Sequence, residues 1–190
     1  MQKYNKKRCN WVTNDLLEVY HDTEWGVPLH NDKKLFEFLL LDGAQAGLSW
    51  SIILKKRDTY KKAFDQFNPK KISTYSKRDV SRLLKNDGIV RNRKKIESAI
   101  NNAKCFLKVK SEFGTFDKYI WSFVNDKTIT NKYRSWDDIP AFTEESKNMS
   151  LDLKKRGFTF VGPTVCYAFM QSAGMVNDHI ISCFRYKETI

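Results

Sequence analysis

The chain has 190 residues, 41% of them hydrophobic and 14% aromatic, with 34 Lys+Arg against 22 Asp+Glu and a formal net charge of +12. That length suits one domain with its own core, and so many Phe, Tyr and Trp residues can build it without disulfide staples. No apolar run approaches the roughly 20 residues that would span a bilayer, and the basic opening MQKYNKKRCNWV lacks the apolar stretch of a secretory signal. A soluble, cytoplasmic protein is therefore expected, in a reducing compartment where cysteines serve as thiols or metal ligands. The positive charge attracts polyanions, nucleic acid foremost. A lysine-rich, AT-rich genome gives the same excess, so the charge needs a motif beside it.

Taken in chain order, the first segment of note is RCNWVTNDLLEVYHD, which carries Cys9 and His21. After the potential N-caps Asn31 and Asp32, KKLFEFLLLDG predicts a buried helix ending at Asp42. A small-residue loop in DGAQAGLSW then leads to Trp50, and Leu48 to Phe64 has helical spacing. Pro69 breaks the chain; Ser76 with Asp79 predicts a capping box opening the short helix SKRDVSRLLKND. Arg91 to Phe113 predicts a long helix, followed by FDKYIWSFV. TEESKNMSLDLKKRG ends at the C-cap candidate Gly157, and TVCYAFMQSAG is a last helix stopping near Gly174. FTFVG is strand-like but too short for a sheet. With no repeat, low-complexity tract or linker, the expectation is one all-α domain over residues 1–190.

Three constellations could carry chemistry. In HIISC, His179 and Cys183 stand four residues apart, one turn if the segment is helical, so both could bind one ion. Cys9 and His21 would complete a Cys2His2 tetrahedron, a donor set that suits zinc. Two halves at opposite ends of the chain exclude a zinc finger and point to a closed, structural site tying the termini together. A Cys9–Cys183 disulfide is the rival, disfavoured by a reducing compartment; Cys105 and Cys166 fall inside apolar helix patterns and read as buried thiols.

The second constellation is LLKNDGIVRNRKKIESAINNA, two helical patterns joined through Asn86 to Val90. Gly88 there would supply unusual backbone dihedrals. Exposed N–H groups and the next helix N-terminus could hold a phosphate, with Arg91, Arg93, Lys94 and Lys95 adding charge; an ordinary αα-hairpin with a solvated basic face explains the local pattern equally well. The third is Asp42. A carboxylate on a buried element is costly without a partner, so it either caps loop N–H groups or forms the floor of a pocket walled by Tyr20, Trp25 and Trp50. A carboxylate beside stacked rings suits a flat, cationic, hydrogen-bond-donating base.

With CNWV, YHDTEWGVP, GAQAGLSW, LKKR, GIVRNRKKI, WSFVN, KKRGFTFVGPTVCYAFMQSAG and VNDHIISC in order, the chain resembles the 3-methyladenine DNA glycosylase I family from Cys9 to Cys183. The resemblance implies the all-helical fold of the helix-hairpin-helix DNA glycosylase superfamily, with its hairpin at about 77–104 here. It also implies one structural zinc ion on Cys9, His21, His179 and Cys183. The implied activity is hydrolysis of the N-glycosidic bond of 3-methyladenine in alkylated double-stranded DNA. Asp42 would contact the base, and Trp11, Tyr20, Trp25 and Trp50 would form the base pocket. Gln45, Gly47 and Leu48 would enter the gap left by the flipped base, and Gly88, Arg91, Arg93 and Lys94 would meet the DNA backbone. A monomeric, nucleoid-associated, bacterial-type enzyme without a lyase step or a membrane partner is implied.

Two departures from the family pattern stand out. The family carries glutamate where Asp42 stands, one methylene longer. Its D-P-L-Y-x-x-Y-H segment is DLLEVYH here, one residue shorter and lacking the proline and the first tyrosine. These departures leave a second reading, a zinc-stabilised DNA-binding protein whose catalysis has weakened or vanished. A third, a basic helical domain with no DNA role, leaves the hairpin and the Cys/His set unexplained.

Overall fold

A computed structural model describes residues 6–189. Its helices are α1 (Asp15–Thr23), α2 (Asp32–Gln45), α3 (Trp50–Ala63), α4 (Pro69–Ile72), α5 (Lys77–Leu84), α6 (Arg93–Phe113), α7 (Phe116–Trp121), α8 (Glu144–Lys155) and α9 (Pro163–Ser172). The two-residue strands β1 (Ile129–Thr130) and β2 (Val176–Asn177) pair in parallel, Ile129 opposite Val176. The all-α expectation is met in the mainly helical character of the fold, while the two-residue strand pair was not expected.

Helix α2 explains the arrangement around it. Leu35, Phe36, Phe38, Leu39, Leu40 and Leu41 are all buried, so apolar side chains surround the helix rather than forming a stripe. Such a helix must be covered on all sides, and α3, α6, α7 and α9 pack on it. Each of those side chains contributes about 1.5–3 kcal/mol by burial, and Phe36→Ala would cost about 3–5 kcal/mol. A partly buried ion cluster fixes α3 against this core: the Arg57 guanidinium donates two bonds to Glu24, at 2.7 and 2.8 Å, and one to Glu37 at 2.7 Å.

Local chemistry sets the element ends. Asn14, Asn31, Asn92 and Thr143 cap helices with their side chains, and the Ser76/Asp79 capping box forms at α5 as expected. Asp42 does not end α2, which continues through Gly43 to Gln45. Helix α3 starts at Trp50, not Leu48, and α6 at Arg93, not Arg91. Pro69 opens the one-turn α4, where its missing N–H costs nothing. FTFVG forms no strand.

The larger correction concerns HIISC. Residues 179–183 form a turn after β2, in which the Cys183 N–H donates to the Ile180 carbonyl at 2.7 Å. His179 and Cys183 therefore share a side because the turn folds back, not because they lie on one helical face. Residue spacing cannot distinguish these two geometries.

Candidate active site and metal cluster

Both ends of the described chain converge on Cys9, His21, His179 and Cys183. All four are buried, and their potential ligand atoms lie within 4.8 Å of one another. Cys183 Sγ is 3.4 Å from His21 Nε2 and 3.7 Å from His179 Nδ1, and Cys9 Sγ is 3.7 Å from His179 Nδ1. A tetrahedral ion with bonds of about 2.0–2.3 Å has ligand–ligand edges of roughly 3.3–3.8 Å, so the donor set fits. The cysteines are free thiols, not a disulfide.

Groups behind the cluster orient its imidazoles. His21 Nδ1 lies 2.8 Å from Asp22, a carboxylate that accepts from Arg8, so this nitrogen carries the proton and Nε2 faces the thiols. His179 Nε2 lies 3.2 Å from the Trp25 carbonyl, leaving Nδ1 as the ligand atom. Gly26 is required there, because an added Cβ would sit 2.9 Å from that Nε2. The Cys9 thiol and both imidazoles lower the Cys183 thiol from its ordinary value, the direction that favours the thiolate a metal ligand must supply.

The cluster also supports a cavity. Trp11 meets the His21 ring at 5.3 Å and Trp25 meets the His179 ring at 4.6 Å. The other sides of both indoles line a hollow of about 510 Å³, with Tyr20, Trp50 and Asp42. The four aromatics named from the sequence thus come together, and Tyr20 stands 5.4 Å from Trp50 between ring centres. The indole N–H groups of Trp11 and Trp50 are buried without a hydrogen-bond partner among the described residues. Buried donors of this kind are costly unless a ligand satisfies them.

Asp42 lies where α2 meets α9 and is only 3% exposed. Burial pushes its carboxyl up to about 8, opposed by a hydrogen bond from the Ser172 hydroxyl at 3.2 Å. No lysine, arginine or histidine forms an ion pair with it among the described residues. Burial, then the neighbouring Asp42 charge, likewise drives the Tyr20 hydroxyl well above its ordinary value and keeps it protonated. An aromatic hollow with one carboxyl and no fixed counter-charge on it offers a place for a flat cation.

The basic stretch divides in two. Arg91, Arg93 and Lys94 are exposed on the turn and first residues of α6, beside the exposed Gly47 and Leu48 that follow α2. Lys95, in contrast, donates to the Ala44 and Ala46 carbonyls at 2.8 and 2.6 Å, closing the end of α2. It therefore holds the 45–48 segment to the α5–α6 hairpin. Gly88 does not adopt a positive φ, contrary to the dihedral argument. Its demand is steric: a Cβ there would lie 2.1 Å from the Thr59 side chain of α3. Two hairpin N–H groups are already occupied, Gly88 by the Asn86 side chain and Val90 by the Tyr60 hydroxyl.

The family model for methyladenine glycosylase matches residues 11–186. The chain belongs to this family. It is 46% identical over 181 residues to DNA-3-methyladenine glycosylase 1 of Escherichia coli K12, covering 95% of this chain and 97% of the relative. A crystal structure of 3-methyladenine DNA glycosylase I superimposes with a TM-score of 0.92 at 47% identity, covering 94% of this chain and 98% of the other. A variant 3-methyladenine DNA glycosylase I, solved in complex with 3-methyladenine, gives a TM-score of 0.88 at 37% identity over 90% of this chain and 92% of its own.

Against the family pattern, the shortened DLLEVYH segment still forms α1 and still delivers Tyr20 to the cavity, while Leu17 lines the wall. Sequence reasoning did not pick out Trp136, Gln171 or Ser172, which also line the hollow. Trp136 lies 6.2 Å from Trp11, on a short 3-10 turn capped by Ser135. An aromatic inside the polar run RSWDDIP was the available signal. Gln171 and Ser172 sat in an apolar helix pattern and gave none.

Proposed function

We propose that this chain is a DNA glycosylase that hydrolyses the N-glycosidic bond of 3-methyladenine in alkylated double-stranded DNA. One observation carries the reading: a buried carboxyl, Asp42, without a cationic partner inside a cavity of Trp and Tyr rings whose indole N–H groups await an acceptor. Methylation at N3 makes adenine cationic and a good leaving group, so the protein's task is to extrude, hold and recognise the base. Trp50 and Tyr20 stack on it, favouring a cationic ring over neutral adenine. Asp42 accepts from its amino edge, and the indole N–H groups meet its acceptor atoms.

In this reading Gln45, Gly47 and Leu48 fill the gap left in the duplex. Gly88, Arg91, Arg93 and Lys94 form the backbone-binding side of a helix-hairpin-helix unit, and the whole chain is one domain acting as a monomer in the cytoplasm, where bacterial DNA lies. Zinc on Cys9, His21, His179 and Cys183 has a structural role, because four protein ligands leave no open position for water. No lysine takes part as a nucleophile, so hydrolysis stops at an abasic site.

Three assays test this. Duplex DNA treated with a methylating agent should acquire abasic sites that break only on heating in alkali, and borohydride should trap no protein–DNA adduct. Metal analysis should return one zinc per chain. Tight binding to methylated DNA with no abasic sites formed would overturn the catalytic reading, and a trapped adduct would overturn the monofunctional one.

A further inference from the structure

The Asp42 carboxyl has one hydrogen-bond donor among the described residues, the Ser172 hydroxyl, which lies 3.2 Å from Oδ2. The same Ser172 oxygen is 3.0 Å from the Phe169 carbonyl, one turn back in α9. A hydroxyl has one hydrogen to donate and two lone pairs. It therefore serves one acceptor at a time, and both groups are sealed in the core, with Ser172 2% exposed and Asp42 3%.

Each arrangement suits one charge state of Asp42. When the hydroxyl donates to the Phe169 carbonyl, its lone pair faces Oδ2 and can accept a carboxylic acid proton. When it turns to Oδ2 it stabilises the carboxylate, and the other oxygen has no hydrogen bond among the described residues. The titratable neighbours are Tyr20 of α1 and Cys166 of α9; burial raises both, to about 12 for the cysteine, so both stay uncharged. The cavity side of α3 presents Trp50, and the 3-10 turn presents Trp136. No fixed cation from these elements does what Ser172 does.

We propose that Ser172 is a positioning residue for base recognition: its hydroxyl engages one oxygen of Asp42, leaves the other free for the incoming base, and releases the first by turning to the Phe169 carbonyl. This deepens the glycosylase reading and rests on it for its consequence in catalysis. A cationic base entering the cavity favours the carboxylate. Asp42 then loses its proton to solvent, and the Ser172 hydrogen moves from the Phe169 carbonyl to Oδ2. The aspartate needs such a tether because its short side chain has no other polar anchor.

The sign of the effect is fixed. A donor to the carboxylate lowers the pH at which Asp42 ionises, so Ser172→Ala should raise it. Carbon-13 NMR of the labelled Asp42 carboxyl reads this in the free protein without reference to activity. The titration should move up by about one pH unit in Ser172→Ala. In excision assays, kcat/KM at pH 6 should fall by about tenfold and come back to within about twofold of wild type by pH 9. Ser150→Ala is the comparator, since Ser150 is also buried and donates to a backbone carbonyl, that of Val161, away from the cavity. It should leave both profiles in place.

An Asp42 titration unchanged by Ser172→Ala would overturn the inference. So would an activity loss of equal size at every pH, or a profile shift of the same size in Ser150→Ala. A wild type that excises nothing while its Asp42 titration still responds to Ser172→Ala would overturn the glycosylase reading alone.

Discussion

The Cys/His cluster and the cavity share two indoles and differ in one respect: the cluster is internally complete and the cavity is not. Each imidazole of the cluster has its second nitrogen bonded, to Asp22 or to the Trp25 carbonyl, and Arg8 holds Asp22 in turn. A few ångströms away, Trp11 and Trp50 present unpaired N–H groups and Asp42 has a single donor. A cluster whose supporting bonds are all made could hold an ion without any further partner. Buried polar groups left open are what a binding site for another molecule requires. Since Trp11 and Trp25 touch both regions, the first keeps the second in shape.

The largest expected effect comes from dismantling the cluster. Removing the ion with a strong chelator, or making Cys183→Ala, should lower the melting temperature by more than about 10 °C and abolish base binding in parallel. Calorimetry with a fluorescence titration of the free base would show both. Base binding that survives loss of the ion would separate the two regions.

Next, Asp42→Asn should reduce excision by about a hundredfold, because a cationic base loses its charged partner. The same change should stabilise the empty protein. Burial raises the folded carboxyl to about 8, so the folded state keeps a proton that the unfolded chain releases. This group's contribution therefore falls as pH climbs from about 4 towards 8. The advantage of Asp42→Asn in thermal melts should widen over that window, and an advantage independent of pH would contradict the assignment.

Trp50→Ala should cost about tenfold in base affinity through lost stacking, read as a raised dissociation constant. The smallest effects belong to the hairpin. Arg93→Ala and Lys94→Ala should each weaken DNA binding a few-fold and reduce the salt slope by about one. Lys95→Met should leave that slope intact and instead lower the melting temperature, since Lys95 is spent on the Ala44 and Ala46 carbonyls.

Much of this was legible in the residues because it rests on local rules. Caps at Asn31 and Ser76 and the enclosed apolar run of α2 follow from side-chain chemistry near in sequence, and the His/Cys donors were legible by residue type although they meet across some 160–170 residues. What escaped depends on contacts between distant segments. HIISC is a turn because β2 pairs with β1 and the Ile181 N–H reaches the Tyr133 carbonyl. Gly88 is demanded by Thr59, not by its own φ. Ser172 reads as a small residue in an apolar helix until α9 is laid against α2, where it becomes Asp42's donor.

The most direct test of the central claim is to incubate the protein with methylated DNA and identify the released bases by chromatography. The account predicts free 3-methyladenine in solution, with 7-methylguanine left in the duplex. Intact DNA after prolonged incubation with metal-loaded, DNA-binding protein would contradict it, and would mean that Asp42 in its aromatic cavity binds without breaking the bond.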